Sequence, residues 1–76
     1  MANTMDLLVL FEEDYIEKNV TAYIPAFRIG AIGATLEEAR ENAIDLVQKA
    51  LEESKSYGMP LPKGNAIVDS ITVVTD

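Results

Sequence analysis

The sequence predicts an α+β domain in the order β-β-β-α-β: a mainly antiparallel four-stranded sheet with one long helix packed on one face. Three observations carry this. Apolar residues alternate with period two in two early runs, 5–11 and 20–24. They then recur at spacings of three and four from residue 36 onward, behind a helix-start signal. A final Ile- and Val-rich run occupies residues 66–74.

Residues 5–11 place Met5, Leu7, Val9 and Phe11 on one face of a strand and Leu8 and Leu10 on the other. Both faces are apolar at the centre, as in a strand covered on both sides. Residues 12–19 are acidic and polar and predict a hairpin connection. Val20, Ala22 and Ile24 then alternate with Thr21 and Tyr23 in a second strand. Pro25 ends it, because proline has no N–H to give to a ladder. Arg28, Ile29, Ala31 and Ile32 predict a short third strand, with a bulge near Gly30.

Thr35-Leu36-Glu37-Glu38 is a capping box. The Thr35 hydroxyl accepts the N–H of Glu38, and the Glu38 carboxylate reaches back to the N–H of Thr35. The helix it opens runs over residues 36–57, about 33 Å at 1.5 Å per residue. Its apolar stripe is Leu36, Ala39, Ala43, Leu46, Val47, Ala50 and Leu51. Gly58 stands where a left-handed terminating residue belongs, and Pro60 and Pro62 prevent continuation. In the last strand Ile67, Ile71 and Val73 share one face and Val68 and Val74 the other. One helix covers one face of such a sheet, so Leu8, Leu10, Tyr23 and Val68, which alternate toward the opposite face, predict an interface between copies of the chain.

At 76 residues the chain predicts a single domain, 1–76, of a size that buries only about 60% of the surface its unfolded form exposes. It has neither cysteine nor histidine, so disulfides and thiolate or imidazole metal sites are excluded as sources of stability. Self-association, as a dimer or tetramer, is the expected remedy. The net charge of −7 argues against direct nucleic-acid binding, which rests on phosphate neutralisation by Lys and Arg, and favours a basic partner. No run approaches the ~20 apolar residues of a membrane span. No basic segment precedes an apolar stretch at the N-terminus, so a cytoplasmic location without membrane association is expected.

Tyr23-Ile24-Pro25, Gly33, Thr35-Leu36-Glu37-Glu38-Ala39 with Asn42-Ala43, and Gly58-Met59-Pro60-Leu61-Pro62 form a set that resembles the HicB-like antitoxin family. The resemblance spans residues 5–62. It implies a partial ribonuclease-H-like domain that lacks the nuclease residues, forms oligomers, and in antitoxin members covers the active surface of a small basic RNA-cleaving toxin. Pro25 is followed here by Ala26-Phe27-Arg28-Ile29-Gly30, where the family usually has an acidic residue and a Leu-Pro-Gly-Cys run. The chain also ends at Asp76 without the appended DNA-binding domain of many members, so operator binding is not expected. The alternative expectation is an orphan self-assembling scaffold with no toxin.

Catalysis is not expected. A two-metal nuclease needs carboxylates converging from separate strands, and only Asp6 and Asp69 lie on predicted strands, each among apolar neighbours. Ser54, Ser56 and Ser70 have no histidine to serve as base. No cofactor or metal is implied. The expected partner-facing residues are the acidic Glu12, Glu13, Asp14 and Glu17 of the first connection and Glu37, Glu41 and Glu52 of the helix.

Overall fold

Two tight reversals build the sheet. The computed structural model describes residues 4–58 and 66–76. Its strands β1 (Leu10–Asp14), β2 (Asn19–Ile24) and β3 (Ile29–Gly33) form an antiparallel sheet in that order, followed by the helix α1 (Leu36–Tyr57). Asp14 pairs with Asn19 and Ile24 with Ile29, leaving the loops 15–18 and 25–28. Each loop ends on a residue in the left-handed region, Lys18 at φ 56° and Arg28 at φ 54°, which turns the chain back into the twist of the next strand. In the first loop the Asp14 side chain does the closing: its Oδ1 accepts the N–H groups of Ile16 at 2.9 Å and Glu17 at 3.0 Å. In the second the backbone does it, with Phe27 donating to the Ile24 carbonyl and Arg28 to that of Pro25, both at 3.2 Å.

This register moves the first strand. Residues 5–11 were expected to be paired, yet β1 starts at Leu10, opposite Tyr23. β2 ends at Ile24 and turns away at Pro25, so the residues ahead of Val9 have no β2 backbone beside them. At the other end Glu12, Glu13 and Asp14, expected in the connection, are strand residues paired with Thr21, Val20 and Asn19. The expected bulge at Gly30 is also not formed. Tyr23 pairs with Gly30 inside an unbroken ladder from Val20–Gly33 to Ile24–Ile29.

The helix occupies the expected span. Thr35 is extended (φ −130°, ψ 166°) and its Oγ1 accepts the Glu38 N–H at 3.1 Å. The reciprocal arm differs by one residue: Glu38 Oε1 accepts the N–H of Ala34, at 3.3 Å, instead of that of Thr35. Gly58 closes the helix at φ 67°, donating to the Lys55 carbonyl at 3.4 Å. Met59, Pro60, Leu61 and Pro62 of the expected turn lie outside the described residues.

Small residues set the distance between helix and sheet. Ala39, Ala43 and Val47 are buried against Val20, Ala22, Ile24 and Ala31, with Leu7, Val9, Phe11, Phe27, Ile29 and Leu51 half-buried around them. The backbones come so close at Gly33 that a Cβ there would collide with the Ala39 nitrogen and lie 2.8 Å from the Glu38 carbonyl carbon. Asn42 ties the same contact, its Nδ2 donating to the Ile32 carbonyl at 2.9 Å. Leu36 and Leu46, expected in the buried stripe, lie at its margins and are exposed.

The fourth strand of the expected sheet is not formed by the described residues. Residues 66–76 carry neither helix nor strand, and each is exposed. Their β-branched alternation gives strand propensity, but a strand exists only against a neighbouring backbone. Val68 therefore does not lie on the sheet face to which its parity assigned it.

Candidate interaction surface

Direct pairing in an antiparallel ladder puts partners on the same face, which divides the sheet cleanly. Phe11, Ala22 and Ala31 form one row under the helix, and Val20 and Gly33 continue it. The rows Leu10–Tyr23–Gly30 and Glu12–Thr21–Ile32 lie on the opposite face, away from the helix. Leu10 is 41%, Tyr23 40% and Ile32 61% exposed. Leu8, just ahead of β1, is exposed as well. Gly30 adds no side chain to the Leu10–Tyr23 row, and nothing lies within 4 Å of where its Cβ would stand.

Leu10 and Tyr23 are thus exposed on the side where the sequence pattern placed them, while Leu8 is exposed but lies outside the ladder. Ile32 belongs with them and was missed. The glycines on both sides of the third strand diluted its alternation, and only the register with Thr21 reveals which way Ile32 faces. A tyrosine beside aliphatic side chains is the composition of an interface anchor, with a ring to bury and a hydroxyl to keep wet.

The seven acidic residues do not form one patch. All are exposed, but strand parity puts Glu12 on the open face and Glu13 on the helix side. Asp14 is engaged in closing its loop, and Glu17 lies within that loop. At about 100° per residue, Glu37, Glu41 and Glu52 fall within about 60° of one another around α1. The buried Ala39, Ala43 and Val47 lie roughly opposite. The helical carboxylates therefore form an outward acidic stripe on the far side of the molecule from the open sheet face.

Among the described residues, no group of three His, Cys, Asp or Glu side chains comes together as a metal site. Asp6 lies ahead of β1, and Asp69 accepts its neighbour's Ser70 N–H at 2.8 Å. Arg40 is drawn over the Phe11 ring, 5.5 Å from its centroid, a cation–π contact on the β1 side of the helix. No helix of the described residues is long and apolar enough to cross a membrane. The arrangement offers two surfaces suited to binding, an apolar sheet face and an acidic helix flank. Compared with family models, with curated proteins and with solved structures, the chain matches none of them.

Proposed function

We propose that the chain is a HicB-like antitoxin or antitoxin-like interaction domain, which binds and occludes a small basic RNA-cleaving toxin and performs no catalysis itself. In this reading it is a cytoplasmic homo-oligomer, a dimer or tetramer, that uses no cofactor and makes no direct contact with nucleic acid. Its complete sheet has four strands in the partial ribonuclease-H-like arrangement, with residues 66–74 supplying the fourth. The observation that carries the reading is the separation of surfaces. The apolar open face of Leu10, Tyr23 and Ile32 suits a second copy, which leaves the acidic flank of Glu37, Glu41 and Glu52 free for a basic partner. A carboxylate stripe on a chain of net charge −7 competes with RNA phosphate for the same cations.

The experiment is co-expression with the product of the adjacent reading frame, followed by an RNA-cleavage assay. Inhibition that weakens with added salt, and is lost when Glu37, Glu41 and Glu52 are all changed to Lys, is the expected result. A neighbouring basic ribonuclease that neither co-purifies nor loses activity would overturn the reading. A second reading, an orphan self-assembling scaffold without toxin, is favoured by one specific observation: the chain exposes apolar surface at both the open sheet face and residues 66–74, and self-assembly alone would cover both.

A further inference from the structure

Two parts of the chain each lack what the other offers. Residues 66–74 alternate as a strand does, yet Ile67, Ile71 and Val74 are 86%, 87% and 89% exposed. Elsewhere an open groove of about 720 Å³ runs between residues 4–9 and α1, lined chiefly by Met5, Leu7, Val9, Ile44, Val47 and Leu51. The groove ends at Val9, one residue short of β1, which among the described residues is hydrogen-bonded to β2 alone, and a sheet edge of that kind is a template for one more strand. A strand with one apolar side fits both demands together, pairing with the edge and laying its side chains in the groove. Ile67, Ile71 and Val73 make such a side. Asp69 shares it, and the groove also holds the cationic Arg40 and the amide of Gln48.

The chain does not use this complement on itself. Its radius of gyration is 15.1 Å and its longest extent 52 Å, against about 11 Å expected for the radius of gyration of a compact domain of this length. A strand-patterned segment that stays exposed, while among the described residues the groove is unfilled and the β1 edge has no second neighbour, is the arrangement that strand exchange uses. The core gives a reason for it. Among the described residues, four of the seven buried hydrophobic residues are alanines and no large side chain is completely buried, so one copy alone has little to hold it together.

We propose that residues 66–74 of one copy occupy the groove between residues 4–9 and α1 of a second copy and pair with its β1 edge, reciprocally about a two-fold axis, so that each sheet gains its fourth strand from its partner. This deepens the oligomeric part of the reading above and rests on no toxin. It also differs from pairing through Leu10, Tyr23 and Ile32, which lie on the other face of the sheet.

The chain has no cysteine, so introduced thiols report only the chosen pair. A chain carrying Met5→Cys and Ser70→Cys is prepared in isotope-labelled and unlabelled forms, which are unfolded together, refolded, joined with a short bismaleimide and read by peptide mass spectrometry. Links between positions 5 and 70 that join labelled to unlabelled chains in the statistical proportion are expected. Links within one chain only, or none, would overturn the proposal. Adding Ile71→Asp should abolish the mixed links, whereas adding Tyr23→Glu should leave them in place; mixed links that survive Ile71→Asp, or vanish with Tyr23→Glu, would also contradict it. Mixed links without toxin inhibition defeat only the antitoxin reading, and inhibition without mixed links defeats only the exchange.

Discussion

The two faces of this sheet are built from neighbouring residues of the same strands, yet they stand in different physical situations. On the closed face Val20, Ala22, Ile24 and Ala31 meet Ala39, Ala43 and Val47 of the helix and are buried. On the open face Leu10, Tyr23 and Ile32 are as apolar but stay in contact with water. Side-chain chemistry does not distinguish the two sets; the presence of a helix does. A single helix can shield one side of a layer, and the apolar residues on the other side stay exposed in a single copy.

Substitutions sharpen this contrast when all are compared at one protein concentration, since an associating chain has concentration-dependent stability. The largest effect is expected from Ile24→Ala, which empties space in the closed face and should lower the unfolding free energy by about 2–4 kcal/mol in urea titrations. Ile32→Ala, one position from the end of β3 on the open face, should instead act mainly on assembly, weakening the oligomer in sedimentation while changing the stability of the dissociated chain by less than about 0.5 kcal/mol. Equal losses of chain stability at the two sites would erase the distinction between the faces.

The glycines of β3 give the same comparison at smaller scale. Gly33→Ala forces a methyl into the helix backbone at Ala39, and should cost about 1–3 kcal/mol with a matching fall in thermal midpoint. Gly30→Ala points its methyl into open space on the other face, and should lie within about 0.5 kcal/mol of the parent. Between these lies Thr35→Ala, which removes the acceptor of the Glu38 N–H and should cost about 1 kcal/mol, rescued largely by Thr35→Ser.

Local rules made the helix legible. Thr35 and Gly58 are chemically committed to their positions at its ends, and three- and four-residue spacing marks the buried stripe, so its span, N-cap and inward residues Ala39, Ala43 and Val47 follow from the sequence. The strands were legible in kind but not in register. Register depends on where the reversals close, and these are set by the Asp14 side chain and by positive φ at Lys18 and Arg28, none of which alternation reveals. That is why β1 moved toward the acidic residues and why Ile32 was missed. Exposure of the seven carboxylates could be read from charge, but their division between opposite sides of the molecule could not, because it depends on strand parity and helical angle taken together. Residues 66–74 show the remaining limit. Their pattern states a preference for strand, but no neighbouring backbone among the described residues satisfies it.

Sedimentation velocity of the unmodified chain over a dilution series, with circular dichroism recorded at each step, tests the account most directly. The expected result is a dimer or tetramer at the higher concentrations that comes apart on dilution, with helical signal falling as the less stable single chain is released. A folded single chain of unchanged helicity throughout the series would contradict it, since the open face would then need no second molecule.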